Sequence, residues 1–453
     1  MPEDVSQTQR FLDALKGRGL RVCIVEGESE YSYSDLVSEI ALLRDQCRGA
    51  GIRSGDVVGI SGDFTFDSVA LFFALTLESA IVAPLGAVSE REEKKRIERA
   101  SVSYSASSLG GILSVDKVVP SPSGSPLFEK LKGAPGLILF SSGTTGLPKV
   151  MLHDLDKMLG CYSLRPQRNY SVLLFLFFDH IGGLDTLFRS LMNGSRLVIA
   201  EHRKPEMVAQ LIERFKIDVL PMTPTALNLL ILSGAHERYD LSSLKIISYG
   251  AEPMPKWLLK RLHELFPSVQ LQQKFGVSEM HVLRVKSRAS NSLAMKIEDE
   301  HSSYKIVNGE LLLKTQCPIV GYLNVEQSPF DDEGWFHTGD IVESFDDGFL
   351  RVKGRASEVI NVGGEKVLPV DVESVLLEMP EVEDCYVCAA PSAITGQVVE
   401  ARVLLKEHVS KKGIRKRVRK YCRNKLEPHS APARIELVDN LPTSSRLKKI
   451  RRS

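Results

Sequence analysis

The sequence predicts an α/β protein: a large N-terminal unit of mostly parallel sheets flanked by helices plus a β-rich subdomain, followed by a small α+β C-terminal unit. Three observations carry that expectation. Over residues 22–273 short apolar strands alternate with amphipathic helical patterns, and repeated β–α alternation gives mostly parallel sheets covered by helices. After Ser278 the texture changes to short paired strands around turn signals, Asn308-Gly309 and Asp346-Asp347-Gly348, of the kind that close hairpins. Beyond Gly354 a compact pattern follows, with a helix over 370–378 and strands near Cys385 and Val399. A chain of 453 residues is too long for one core and requires two or more domains.

In chain order, Val57-Val58-Gly59-Ile60 reads as a strand leading to a helix over 68–77 and then to the strand Ile81-Val82-Ala83-Pro84. Ser89-Glu90-Arg91-Glu92 has the form of a capping box opening another helix. Pro120-Ser121-Pro122-Ser123-Gly124-Ser125-Pro126 is a loop by composition. The apolar run Leu137-Ile138-Leu139-Phe140 predicts a buried strand. Strands over 172–178, 197–200, 218–222, 246–248 and 269–273 follow, separated by helices over 184–192, 205–215 and 256–266. The apolar run 172–178 is far too short to span a bilayer.

Composition narrows the class. Hydrophobic residues at 43% and charged residues at 25% describe an ordinary globular protein. A net charge of +1 gives no global attraction to nucleic acid or membrane, so a charged partner must be met locally. The acidic start, Met1-Pro2-Glu3-Asp4, lacks the apolar segment of a secretory leader. Seven scattered cysteines suit the reduced thiols of a cytoplasmic protein. Cys385-x-x-Cys388 lies in a strand-like run without a second ligand pair, which favours core packing over zinc or redox chemistry.

The chemistry centres on Ser141-Ser142-Gly143-Thr144-Thr145-Gly146-Leu147-Pro148-Lys149. Glycines let the backbone turn its N–H groups inward, while hydroxyls and a lysine add donors and positive charge, so such a loop can close on a polyphosphate. No Lys-Ser/Thr pair follows the second glycine, which excludes the GxxxxGK[ST] loop. Further along, Phe275-Gly276-Val277-Ser278-Glu279 places a carboxylate after a strand, where it suits a hard cation riding on phosphates. Trp335-Phe336-His337-Thr338-Gly339-Asp340 sets an acid after a glycine turn, suited to ribose hydroxyls. Gly354-Arg355-Ala356-Ser357-Glu358 offers a guanidinium near the expected domain boundary. Pro442-Thr443-Ser444-Ser445-Arg446-Leu447-Lys448 puts a lysine near the C-terminus.

Taken in this order, these segments resemble the ANL superfamily of adenylate-forming enzymes, which includes acyl- and aryl-CoA synthetases, peptide-synthetase adenylation domains and beetle luciferases. The resemblance implies roles residue by residue. Ser141, Ser142, Gly143, Thr144, Thr145, Gly146 and Lys149 would hold the β- and γ-phosphates of ATP, with Thr145 and Glu279 on Mg2+. Tyr249, Gly250, Ala251 and Glu252 are similar to the segment flanking adenine. Phe275, Gly276 and Ser278 would border the nucleotide, with Ser278 on the α-phosphate. Asp340 would bind the ribose hydroxyls and Arg355 would support ribose and phosphate. Lys448 would bridge carboxylate and α-phosphate. His180, in Phe178-Asp179-His180-Ile181-Gly182-Gly183, would lie between acyl pocket and thiol tunnel. Tyr249, Gly250 and Phe275 would line that pocket, and Gly363 and Gly364 the tunnel. The family's C-terminal domain rotates between half-reactions. That implies an N-terminal domain over 1–353, a mobile lid over 354–453 and a hinge at Ser357.

The expected activity is that of an acid–thiol ligase. It would activate an aryl or fatty acyl carboxylate as an acyl-AMP and pass the acyl group to CoA or to the phosphopantetheine of an acidic carrier protein. The cation-rich helix over 411–425 is a candidate contact for either acceptor, with a solvated face as the plainer reading. Two alternatives stand beside the ligase: a stand-alone amino-acid adenylation enzyme, for which Asp179 offers an acid near the position that pairs a substrate ammonium, and a non-catalytic nucleotide-binding homologue. Leu447 replaces the usual glycine before the catalytic lysine, Lys449 stands beside it, and the stretch between Glu279 and Gly309 is short.

Overall fold

The structure is a computed structural model and describes residues 5–118, 125–141, 148–162 and 168–441. Two seven-stranded sheets dominate it. In the first, strands Gln270–Gln273, Ile246–Tyr249, Val219–Met222, Ser171–Leu174, Arg196–Ile199 and Val22–Glu26 run parallel, with Ser29–Ser32 antiparallel at the edge. In the second, Gly136–Ser141, Ile81–Gly86, Val57–Ser61 and Tyr104–Leu109 form the parallel centre. Antiparallel strands Lys149–Asp154 and Ile319–Tyr322 extend one side of it and Ile112–Lys117 the other.

Helices Gln7–Lys16, Tyr33–Gly49, Phe66–Leu77 and Ile181–Asn193 share one core with both sheets, including Ile24, Leu174 and Leu197 from the first and Val58, Val82 and Leu139 from the second. The helix Phe66–Leu77 is buried along nearly its whole length, as an all-round apolar helix must be. It starts where Thr65 and Ser68 exchange capping hydrogen bonds, which satisfies two otherwise orphaned donors. Helices Pro205–Phe215, Pro224–Leu232 and Lys256–Leu265 cover the outer face of the first sheet. A six-stranded antiparallel sheet follows, including the hairpins Ser302–Val307/Glu310–Thr315 and Phe336–Ser344/Leu350–Arg355. The final sheet, including Val382–Ser392 and Gly396–Leu405, packs on helices Pro369–Leu376 and Ile414–Lys425 around a core of its own.

Three local expectations are corrected. The strand expected over 172–178 stops at Leu174. The chain then turns, the Phe175 carbonyl accepting from Arg203 and the Phe178 N–H donating to Asp63 Oδ1; a short apolar run fits a buried turn as well as a strand. At the helix Glu90–Arg99, Ser89 caps the Glu92 N–H but a reciprocal bond from Glu92 is not formed. The cation-rich helix begins at Ile414, after Gly413 in the left-handed conformation. Cys385 and Cys388 lie buried on one strand, as core packing requires. Cys161 and Cys317, in contrast, are brought into disulfide contact, against the expectation of isolated thiols.

Gly183, in the first turn of the helix Ile181–Asn193, is closely packed. A Cβ there would run into the carbonyl oxygen of Phe177, and a backbone atom cannot step aside as a side chain can. Gly183→Ala is expected to destabilise the protein by about 2–4 kcal/mol, read as a lower urea midpoint with an unchanged slope.

Candidate active site

The strand Gly136–Ser141 pairs antiparallel with Lys149–Asp154, and Ser141 lies opposite Lys149. The polyphosphate-loop candidate is therefore the connection of a hairpin, at the carboxyl end of a strand that runs parallel to its other neighbour. Ser142, Gly143, Thr144, Thr145 and Gly146 lie outside the described residues, as does Lys448. The base of the loop is held from 174 residues away or more: Asn324 Oδ1 accepts from the Val150 N–H at 2.9 Å and its Nδ2 donates to the Pro148 carbonyl at 2.8 Å.

Lys149 does not stand alone. Its Nζ lies 4.7 Å from the centre of the Tyr322 ring and 3.4 Å from the hydroxyl, and that hydroxyl donates to Glu279 Oε1 at 2.8 Å. Three segments remote in sequence meet in this chain of contacts. Burial, then the Glu279 carboxylate, pushes the Tyr322 hydroxyl well above the usual phenol range, so it remains a donor. The Glu279 carbonyl accepts from the Ile319 N–H at 3.1 Å, tying the turn that carries Glu279 to the strand that carries Tyr322. Tyr322 and Asn324 went unrecognised in the sequence, where each is a single polar residue in a short, unremarkable run.

Around this centre, Gly250 permits a close backbone crossing, because a Cβ would come within 2.8 Å of the Lys274 carbonyl. Ala251 follows with a φ of 68°, uncommon for a residue with a side chain. The Tyr249 side chain is buried with its hydroxyl lacking a partner among the described residues. Glu252 Oε1 accepts from the Thr225 N–H at 2.7 Å and so serves the start of the helix Pro224–Leu232. Phe275 and Gly276 form a short strand against Val282–Leu283, which leads directly to the turn with Ser278 and Glu279.

The ribose candidates are held as a pair. Asp340 and Arg355 face each other across the strands Phe336–Ser344 and Leu350–Arg355, with Arg355 Nε 2.8 Å from Asp340 Oδ1. Arg355 Nη1 also donates to the Thr338 carbonyl, and Thr338 Oγ1 accepts from the Asp340 N–H. Ser357 sits exposed in the short turn Ala356–Glu358 immediately after. Gly363 and Gly364 form the turn between strands Ile360–Val362 and Glu365–Val367, both with positive φ.

His180 caps the helix Ile181–Asn193, its Nδ1 accepting from the Gly182 N–H at 3.1 Å. Asp179, beside it, is 4% exposed and its Oδ2 meets Arg96 Nη1 at 2.7 Å. Arg96 also donates to the Leu85 carbonyl and lies over the Phe140 ring. Asp179 is therefore committed to an internal cation. A cavity of about 710 Å3 opens near these segments, walled by Asp185, Thr186, Arg189, Ser248, Gln272 and Lys274 among others. His180, Tyr249, Gly250 and Phe275 do not line it, although Thr186 and Lys274 are their near neighbours in the chain. Burial acts to raise the Asp185 carboxyl, but Arg189, Lys274 and Tyr162 outweigh it and hold Asp185 below its ordinary range. The wall therefore carries formal charges.

Burial pushes the Asp340 carboxyl up to about 6, against the pull of Arg355 and with a further push from Glu358 and Glu310. The native state thus keeps a proton that the unfolded chain releases near pH 4, roughly the ordinary carboxylate value. The resulting stability is complete below that value and is lost as pH rises through about 6. Urea denaturation between these two pH values is expected to show wild-type stability declining relative to Asp340→Asn, in which the dependence flattens.

Comparison with known proteins places this geometry in a lineage. Residues 112–323 match the profile of the AMP-binding enzyme family, and residues 371–448 that of the AMP-binding enzyme C-terminal domain; together the two take in more than half of the chain. The sequence is 27% identical over 463 residues to 4-coumarate–CoA ligase 4 of Arabidopsis thaliana, an alignment covering 87% of this chain and 81% of that protein. It is 25% identical over 469 residues to the 2-succinylbenzoate–CoA ligase of Geobacillus kaustophilus (strain HTA426), covering 95% and 94%. The crystal structure of the anthranilate CoA ligase AuaEII in complex with anthranoyl-AMP has the same fold, with a TM-score of 0.82, 20% identity and coverage of 99% of this chain and 96% of that one. On the paired family matches and the shared fold, the chain belongs to the ANL superfamily of adenylate-forming, AMP-binding enzymes.

Proposed function

We propose that this protein is an ATP-dependent acid–thiol ligase that activates an aromatic carboxylate as an acyl-AMP and transfers the acyl group to CoA. The observation that carries the reading is the contact chain Lys149–Tyr322–Glu279, which sets a cation and a carboxylate at the foot of the phosphate-loop candidate. The residues fit ATP and its metal. Tyr322 occupies Glu279 Oε1 and leaves Oε2 for Mg2+, a hard cation that takes oxygen ligands. Bound there, Mg2+ would offset phosphate charge. Thr145 is the second proposed ligand.

Two anions meet in the first half-reaction: a carboxylate oxygen attacks the α-phosphorus and pyrophosphate leaves. Cations in a site shielded from water lower the cost of that encounter. Lys149 serves the β- and γ-phosphates with the loop over 141–146, and Lys448 serves the carboxylate and α-phosphate. Asp340, ionised and braced by Arg355, accepts from the ribose hydroxyls. Tyr249, Gly250, Ala251, Glu252, Phe275, Gly276 and Ser278 frame the nucleotide. A thiol then attacks the adenylate carbonyl and AMP departs, with Gly363 and Gly364 beside the thiol and His180 between the two substrates. The part beyond residue 353 acts as a lid turning about Ser357, in a cytoplasmic enzyme.

The choice of acid rests on two supports. Asp179, committed to Arg96, is no partner for a substrate ammonium, which disfavours the amino-acid alternative. The named acids of the relatives above, 4-coumarate, 2-succinylbenzoate and anthranilate, are all aromatic carboxylates. A phosphopantetheine carrier is the other acceptor. The exposed Arg415, Lys416, Lys420 and Arg423 of the helix Ile414–Lys425 would attract its acidic surface as readily as the phosphates of CoA.

Pyrophosphate release across a panel of benzoates, cinnamates, fatty acids and amino acids tests the reading, with acyl-CoA followed by mass spectrometry. Aromatic acids are expected to support turnover and long fatty acids to lag; release with none, alongside ATP binding, would show a nucleotide-binding homologue without catalysis. Tyr322→Phe removes one hydrogen bond to a charged group, about 1.5 kcal/mol, and is expected to slow adenylation about tenfold without loss of fold.

A further inference from the structure

A second cluster lies behind the Glu279 turn and plays no part in the chemistry above. Cys161 follows the helix Leu155–Gly160, Cys317 precedes the strand Ile319–Tyr322, and His281 stands two residues beyond Glu279. One donor atom from each lies within 4.8 Å of the other two. His281 and Cys317 are buried and Cys161 is partly exposed. The imidazole is oriented from both sides: Nδ1 lies 3.4 Å from Cys317 Sγ, and Nε2 lies 3.4 Å from Asp299 Oδ2. We propose that the reduced Cys161 and Cys317, with His281 Nδ1, bind a soft divalent metal ion, zinc by preference.

Three features favour a metal over a lasting disulfide. The Cα atoms of the two cysteines are 7.6 Å apart, beyond the roughly 4.4–6.8 Å that disulfides usually span, so the backbone holds the pair wider than a lasting disulfide uses, and rotation of the reduced side chains would open a place for an ion. A disulfide has no use for a histidine aimed at its sulfur, whereas two thiolates and an imidazole are a zinc donor set. A carboxylate on the far nitrogen of a ligating histidine fixes the ring and raises its basicity, and Asp299 stands there. Three protein ligands leave the fourth tetrahedral position to water, with the partly exposed Cys161 on the route of entry. Where the pair is oxidised, a thiol reductant first supplies two electrons and two protons; binding to the two thiols then releases the two protons, with no change in the oxidation state of the metal.

The ion would join the segments bearing Lys149, Glu279 and Tyr322, because Cys161 lies beyond the Lys149 strand, His281 beside Glu279, and Cys317 at the head of the Tyr322 strand. Its role would be to hold the turn after the Phe275–Gly276 strand at a set distance from the hairpin. The proposal does not rest on the ligase activity, and its test reads metal alone.

The full-length protein is reduced, stripped with chelator and titrated with Co2+ and Zn2+. The expected result is one equivalent of each, with thiolate-to-cobalt charge transfer and the intense d–d bands of a tetrahedral site. Cys161→Ser, at the partly exposed position, should lose much of the charge-transfer band, and His281→Gln should change the d–d pattern. Asp299→Asn should keep the spectrum while weakening affinity about 10- to 100-fold; circular dichroism confirms that each variant is folded. The idea is overturned if the reduced protein takes up no more metal than the Cys161→Ser/Cys317→Ser double variant, or if the bands persist in that double variant. Peptide mapping that finds an intact Cys161–Cys317 disulfide, together with no uptake after reduction, overturns it equally.

Discussion

The addition of one four-residue strand to the edge of a sheet conditions the rest of the site. Ile319–Tyr322 pairs antiparallel with Lys149–Asp154, and from that single register follow the contacts that define the centre. Tyr322 comes to lie over Lys149, Asn324 reaches the backbone on both sides of Lys149, and the Ile319 N–H holds the Glu279 carbonyl. A shift of the pairing by one residue would turn Tyr322 to the opposite face, separating Glu279 from the phosphate-loop candidate. Strand pairing is therefore the means by which a cation and a carboxylate more than a hundred residues apart are linked through one tyrosine hydroxyl.

The two large sheets supply the rigidity that this arrangement requires. They sandwich a layer of helices that bury apolar faces against both, so neither sheet can slide without opening a shared core. The candidate polar groups of the site lie where the chain leaves that core. The hairpin base, the turn at Gly250 and the turn at Glu279 are such exits, and ligands of parallel sheets bind at the carboxyl ends of strands. The Asp340–Arg355 pair belongs to the separate antiparallel sheet, a scaffold distinct from the two large ones.

Much of this was legible in the sequence, for reasons that differ by element. The helix Pro205–Phe215 carries its own signals, a proline at the start and an amphipathic period, and its bounds agree with expectation. Asn308-Gly309 specifies its hairpin by turn chemistry alone. Asp340 and Arg355 stood out as candidates through the order of their segments, each unspecific alone, and the structure pairs them, whereas residues 142–147 of the loop lie outside the described residues. Tyr322 and Asn324 were not, since a lone tyrosine in a short apolar strand has no local signature and acquires its role only by pairing 173 residues away. Cys161 and Cys317 fail for the same reason: separated by 156 positions, they read as scattered thiols, and only the fold makes them a pair.

Asp179 shows how a long-range contact decides a question of chemistry that local sequence leaves open. Beside His180 and ahead of a helix, an acid there reads equally as a ligand for a substrate cation or as part of the frame. Arg96, 83 positions earlier, gives the acid an internal partner, burying its guanidinium against the carboxylate and the Leu85 carbonyl. Removing either member of such a pair leaves an uncompensated buried charge and costs about 3–5 kcal/mol, a large share of a typical protein's net stability. A substrate ammonium recruiting Asp179 would have to break that pair, and the stranded Arg96 would oppose binding by a similar amount. The same ion pair fixes the backbone from which His180 caps the next helix. The acid in this motif therefore works as architecture.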